Sequence, residues 1–92
     1  MEQWTQDEAI AFECARECIT DLMGIQSGLL CEEENKPNPD QASIDKYKAE
    51  LSRLVRERTA LTVTNQTEIA RVRSEYGAMV RAWRASHKAM VQ

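Results

Sequence analysis

The chain has 92 residues, of which 42% are hydrophobic and 29% are charged, with three glycines and two prolines. These fractions are those of an ordinary globular protein and exclude collagen-like and disordered classes, and the length predicts one domain over residues 1–92. Charged residues recur too often for the roughly 20 apolar residues of a membrane span, and the acidic start of the chain does not resemble a signal peptide. We therefore expect a cytoplasmic protein with no membrane partner.

The first helix is predicted over residues 6–33. Thr5 and Glu8 have the spacing of a capping box, in which each side chain accepts a hydrogen bond from the backbone amide of the other residue. Apolar residues then recur at helical spacing from Trp4 to Leu30 and cover an arc of roughly 220°, wider than the ~100° stripe that packs against one core. Because one neighbouring helix cannot cover this arc, the sequence predicts a homodimer.

The second helix is predicted over residues 39–61, after a loop that holds both prolines. Asn38 is the expected N-cap, and Pro39 then occupies the first helical position, where a missing N–H is tolerated. The apolar stripe of this helix consists of Ile44, Tyr47, Leu51, Leu54 and Leu61. Since the loop is short, the second helix is expected to run antiparallel to the first.

The third helix is predicted over residues 65–88, and its boundary with the second helix allows two interpretations. Residues 62–64 form helices poorly, and Asn65 followed by Glu68 has the spacing of another N-terminal cap, so we favour a break. The alternative is one long helix over residues 39–88. The apolar stripe of the third helix consists of Ile69, Val72, Tyr76, Met79, Val80 and Trp83. The predicted fold is all-α, an antiparallel helical hairpin extended to a three-helix bundle.

Three cysteines and one histidine are the candidate soft metal ligands. Cys14 and Cys18 lie one helical turn apart, but Cys31 falls on another side of the helix, so a zinc site completed by His87 is not expected. An odd number of cysteines without secretory context also argues against a disulfide framework. No glutamate is followed by a histidine three residues later, which excludes the di-iron helical bundles. We predict no metal and no other cofactor.

Two glycines lie within the first helix, Gly24 and Gly28, and they share a face with Thr20 and Cys31. A glycine inside a helix costs about 1 kcal/mol relative to alanine, so two on one face need a physical reason. Close approach of a second backbone is one such reason, and it predicts that these four residues bind a partner protein. The alternative is that the helix ends at Gly28, with this glycine in the left-handed conformation of a C-terminal cap.

A basic ridge is predicted on the third helix, beside its apolar stripe. Its four cations, which fall within an arc of about 80°, are Arg73, Arg81, Arg84 and Lys88. A ridge of this kind can follow the phosphates of a nucleic acid. However, an acidic row on the first helix offers the ridge an internal partner, and the isoelectric point of about 5.2 argues against a dedicated nucleic-acid binder. The acidic row consists of Glu13, Glu17 and Asp21.

These observations favour binding over catalysis. The sequence contains no recognisable pair of nucleophile and general base, so we predict a protein that is not an enzyme. The first hypothesis is an adaptor, regulator or inhibitor that presents helical faces to a protein partner. The alternative hypothesis is a nucleic-acid-associated regulator that uses the basic ridge.

The predicted homodimer is tested by the mass of the protein in solution. Sedimentation equilibrium at micromolar concentration is expected to give twice the 10.5 kDa of one chain. The physical reason is that a second copy would cover the part of the apolar arc that one neighbouring helix leaves in water. A mass equal to one chain would contradict the prediction.

Overall fold

The computed structural model describes residues 4–87 of the chain. These residues form three helices, α1 (Gln6–Glu34), α2 (Gln41–Ala60) and α3 (Gln66–Ser86), and contain no strand. The predicted all-α, three-helix architecture is therefore confirmed. The break over residues 61–65 also decides between the two interpretations, since the single long helix is wrong.

α1 begins at the predicted capping box and passes through both glycines. The Thr5 hydroxyl accepts a hydrogen bond from the Glu8 amide at 3.1 Å, and the Glu8 carboxylate accepts one from the Thr5 amide at 2.8 Å. The helix continues beyond Gly28 to Glu34, and no glycine among the described residues has a positive φ. The interpretation of Gly28 as a C-terminal cap is therefore wrong, because that cap requires the left-handed conformation.

α2 begins two residues later than the predicted start at Pro39. Its N-cap is Asp40, whose carbonyl oxygen accepts a hydrogen bond from the Ile44 amide at 3.0 Å. The Glu33 carboxylate, near the end of α1, accepts a hydrogen bond from the Asp40 amide at 2.9 Å. This contact fixes the cap at Asp40 rather than at Asn38, and it joins the end of one helix to the start of the next.

α3 begins close to its predicted start, because the Asn65 side chain accepts a hydrogen bond from the Glu68 amide at 3.2 Å. The helix ends at Ser86, and His87 is its C-cap. The end predicted at Lys88 lies outside the described residues.

α1 is the central helix, and the other two helices pack along it. α2 runs antiparallel to α1, as the short loop predicted. α3 runs parallel to α1, with Gly77 beside Cys18 and, further along both helices, Arg84 beside Asp21. In the described part of the chain, no Cα atom of α2 lies within 8 Å of a Cα atom of α3. The two outer helices therefore share α1 but do not pack closely on each other.

The wide apolar arc of α1 is divided between α2 and α3. The buried core that results consists of Ala15, Ile19, Leu22, Leu54, Leu61, Ile69, Val72, Tyr76 and Val80. Of the larger apolar residues at the start of α1, Trp4 is 41% exposed and Ile10 is 52% exposed. α2 and α3 thus cover much of the apolar arc of α1 from which the homodimer was predicted. The homodimer itself stays a prediction.

The predicted stripe of α3 is too wide at one position. Met79 is 49% exposed, so its assignment to the core is wrong. The reason is that α3 packs closely on only one helix, and a single neighbour covers a narrow stripe.

α2 and α3 are joined by a charged network around one buried aromatic ring. Tyr76 is 6% exposed, and its hydroxyl accepts a hydrogen bond from the Arg53 guanidinium at 2.9 Å. The guanidinium carbons of Arg53 and Arg71 lie 5.8 Å and 5.6 Å from the centre of the ring. The Glu57 carboxylate pairs with both cations, at 2.9 Å and 3.2 Å. Charged side chains thus bridge the gap that the two backbones leave.

Glu33 is the charged residue on which the α1–α2 junction depends, and its effect on stability is expected to vary with pH. Its side chain is buried, and hydrogen bonds from the Asp40 amide and then from Lys36 lower the pKa of its carboxyl. A lowered pKa in the folded state means that the stabilisation is present at neutral pH and is lost as the pH falls through that pKa. The Glu33→Gln variant should therefore melt below the parent protein at neutral pH, with a gap that closes as the pH falls through the lowered pKa of the Glu33 carboxyl.

The matched control for this prediction is Glu34→Gln. Glu34 is the next residue and is exposed, and it makes no ion pair within residues 4–87. Removing its charge from the negative end of the α1 dipole should leave the melting temperature unchanged or slightly raised. Equal melting profiles for the two variants from neutral to acidic pH would show that the junction does not depend on the Glu33 charge.

Candidate interaction groove

A groove opens between α1 and the C-terminal part of α3, and we call it the α1–α3 groove. Its deeper part has a volume of about 320 Å³ and is lined by Gly24, Ile25, Gly28, Leu29, Glu32, Trp83 and His87. A shallower part of about 230 Å³ shares Gly24, Ile25 and Trp83 and continues to Asp21 and Arg84. Along α1 the groove therefore runs from Asp21 to Glu32, which is about 16 Å or three helical turns.

The two glycines of α1 leave one side of the groove open. A Cβ atom built at Gly24 or at Gly28 would meet no heavy atom within 4 Å. Gly77 is different, because a Cβ there would lie 3.1 Å from the Arg81 guanidinium and 3.7 Å from the Cys18 sulfur. Gly77 thus has closer neighbours than the pair on α1, around which the described residues leave open space.

Trp83 forms the opposite side of the groove, and His87 holds it in place. The two rings stack with their centres 4.0 Å apart and their planes 15° apart. His87 Nδ1 also lies 2.9 Å from the Trp83 carbonyl oxygen and 2.9 Å from the Ser86 hydroxyl. Both rings are half-buried. The indole therefore presents a preformed apolar surface beside the glycines.

The two ends of the groove differ in charge. At one end the Arg84 guanidinium pairs with the Asp21 carboxylate at 3.2 Å. At the other end, Glu32 is exposed and makes no ion pair within residues 4–87. The last turn of α1 contains no basic residue, and the helix dipole adds negative potential at this terminus. The groove is thus closed by an ion pair at one end and is negative at the other.

The predicted partner-binding face is only partly brought together. Gly24 and Gly28 border the groove, whereas Thr20 lies on the α2 side, where its hydroxyl accepts a hydrogen bond from Arg58 at 3.1 Å. Cys31 is exposed outside the groove, and the Asn35 amide lies 3.5 Å from its sulfur.

The sequence interpretation placed three residues of the groove on the apolar stripes of α1 and α3 and did not include them in the partner-binding face. Ile25, Leu29 and Trp83 are each half-buried. The sequence does contain an indication that Ile25 and Leu29 border the groove. Each directly follows one of the two glycines, which places it at the edge of the open glycine face.

The predicted basic ridge lies beside the acidic row of α1. Arg84 pairs with Asp21, while Arg73 and Arg81 are exposed and lie near the Cys18 thiol. Lys88, the fourth predicted member, lies outside the described residues. The ridge is thus partly paired with acids of the same chain, which was one of the two outcomes anticipated.

Neither a metal cluster in the described residues nor a known relative assigns a function to this protein. Within residues 4–87, no cluster of three or more histidine, cysteine, aspartate or glutamate side chains has the geometry of a metal site. None of the helices in this part of the chain combines the length and apolarity needed to cross a bilayer. Comparison with protein-family models, curated proteins and solved structures finds no significant match. The geometry of the groove therefore carries the functional argument.

The three thiols should differ in reactivity because they differ in exposure and in thiol pKa. Cys31 is exposed, whereas Cys14 and Cys18 are half-buried, and burial raises the pKa of the Cys18 thiol. Because the thiolate is the reactive form, we expect a maleimide or disulfide reagent at neutral pH to label Cys31 first and Cys18 last. Mass spectrometry of peptides over a labelling time course measures the order. The Cys31→Ser variant should lose only the fast phase, and a retained fast phase would contradict the assignment.

Proposed function

We propose that this protein is a non-enzymatic interaction module, an adaptor, regulator or inhibitor, that binds a segment of a partner protein in the α1–α3 groove. The observation that carries the proposal is the open backbone at Gly24 and Gly28 opposite the Trp83 indole. Each glycine costs about 1 kcal/mol relative to alanine in a helix, and no contact within residues 4–87 requires its small size. A partner that packs closely against this backbone supplies the missing reason.

The shape and lining of the groove fit recognition of a helical segment. Helices that dock into grooves place an apolar face into a preformed hydrophobic trough, and small residues let the two backbones approach closely. Here Ile25, Leu29 and Trp83 provide the apolar lining, and a held aromatic ring is the type of side chain that most often anchors an interface.

The ionisable groups of the groove support binding rather than catalysis. Asp21 is paired with Arg84, and His87 Nδ1 is directed at the Trp83 carbonyl oxygen and the Ser86 hydroxyl. A general base needs a free nitrogen or oxygen within reach of the proton that it removes. Glu32 has a free carboxylate, but the lining of the groove contains no serine, threonine, cysteine or lysine that it could activate as a nucleophile. The arrangement therefore favours a surface that recognises its partner without transforming it.

A nucleic-acid partner is the lesser candidate. The ridge that would contact phosphates lies next to the carboxylates of α1, and one of its arginines is already paired there. Those acids would repel the same phosphates that the ridge attracts. We also propose a cytoplasmic location, which fits the three free cysteines, and a homodimer remains part of the proposal.

The test of the proposed function is Gly24→Leu. The Cβ atom of the new side chain would meet no heavy atom of residues 4–87 within 4 Å, and the rest of the leucine would extend into the groove. It should therefore block the partner while raising the stability of the free protein by about 0.5–1 kcal/mol. Stability and binding are thus expected to change in opposite directions. Thermal melts measure the first, and quantitative capture of partners by the parent and variant proteins measures the second.

The matched control is Ser27→Leu, which adds the same side chain at an exposed position of the same helix outside the groove. Partners that bind in the groove should be captured by the parent and by Ser27→Leu, and lost with Gly24→Leu. Equal capture by Gly24→Leu and the parent protein would show that the groove is not the binding site.

A further inference from the structure

We propose that the occupant of the α1–α3 groove is an amphipathic helix that carries a lysine or arginine at the end of the groove marked by Glu32. This inference rests on the proposed function and adds the chemistry of the partner to it. Two features of the groove carry it, the difference in charge between its ends and the spacing of its apolar residues along α1.

The charge of the groove selects a cation at one end. The Arg84–Asp21 pair leaves little net charge at the first end, whereas Glu32 is exposed at the second end without an ion-pair partner in the described chain. The last turn of α1 contains no basic residue, and the helix dipole adds to the negative potential at this terminus. A cationic side chain placed there gains attraction, and an acidic one is repelled.

The spacing of the lining residues sets the pattern of the partner helix. Ile25, Leu29 and Glu32 follow one another at intervals of four and three residues, so they form a row on one side of α1. A helix lying along this row meets two apolar side chains about one turn apart and the carboxylate about one turn further on. The expected partner sequence therefore has two apolar residues three or four positions apart and a basic residue three or four positions beyond them.

A second copy of this chain fits the charge of the groove poorly. Its exposed α1 face would bring like charges together in either orientation. In a parallel arrangement Glu32 would meet its own counterpart, and in an antiparallel arrangement about the two glycines it would lie within about one turn of Glu17, which is exposed. Such like-charge contacts disfavour the self-complex.

The experiment is a selection of peptides from a display library of randomised helical sequences, carried out in parallel on five versions of the protein, one of which ends at His87. The parent protein should enrich peptides with the apolar and basic pattern. Glu32→Lys should lose this enrichment of basic residues or replace it with acidic ones, and Glu34→Lys, the neighbouring control outside the groove, should keep it. Gly24→Leu should enrich none of these peptides.

A selected peptide then gives the size of the effect. Trp4 and Trp83 are the two tryptophans, so a Trp4→Phe background makes fluorescence a report on the groove alone. Glu32→Gln should weaken binding of the peptide by about two- to five-fold, as expected for a partly exposed ion pair, and added salt should remove this difference. Glu34→Gln should leave the affinity within about two-fold of the parent value.

The outcomes separate this inference from the proposed function. Peptides that require Gly24 but show no preference for basic residues would overturn the inference and leave the proposed function in place. A selection in which no peptide depends on Gly24 would overturn both. Selection that succeeds only with a variant ending at His87 would assign the groove to residues 88–92 of the same chain, and a self-complex lost with Gly24→Leu would assign it to a second copy. Either result would also overturn the inference.

Discussion

The packing of two helices on different sides of α1 is the constraint on which the rest of the structure depends. Its apolar arc is too wide for one neighbour, and α2 and α3 each take one side without packing closely on each other. Along the last turns of α1, the described end of α3 contributes the rings of Trp83 and His87. Leu29 is half-buried beside them, and the groove lies between these rings and the glycine side of α1.

The charged network between α2 and α3 has the role that an apolar seam has in a closed bundle. A cluster of several charges with hydrogen-bonded geometry contributes more than an isolated surface pair, whose effect is about 0–1 kcal/mol. Arg53, Arg71 and Glu57 surround the Tyr76 ring, so the network also shields a core residue from water. The separation of the outer helices is thus set by directional contacts, which keeps the groove on the far side of α3 well defined.

The sequence predicted the helix caps that are formed by neighbouring residues. It did not predict the features that depend on contacts between residues of different helices. The caps at Thr5 and Asn65 follow from neighbouring residues and were found from spacing alone. The start of α2 depends on Glu33, a residue of another helix, and so moved by two positions. The glycine pair borders the groove, as the sequence suggested, but Thr20 faces α2 and Trp83 lines the groove. Periodicity shows which residues share a face of a helix, but it does not show where a neighbouring helix ends.

The parallel packing of α3 on α1 has a consequence for the order in which the molecule folds. The α1–α2 junction joins residues seven positions apart, whereas the contact between Asp21 and Arg84 spans 63 positions. Since closing a longer loop has the greater entropic cost, we expect the α1–α2 hairpin to form first and α3 to dock last. The groove exists only after that last step, and a ligand seated in it stabilises the docked state by mass action. Recognition of a partner and completion of the fold are then thermodynamically linked.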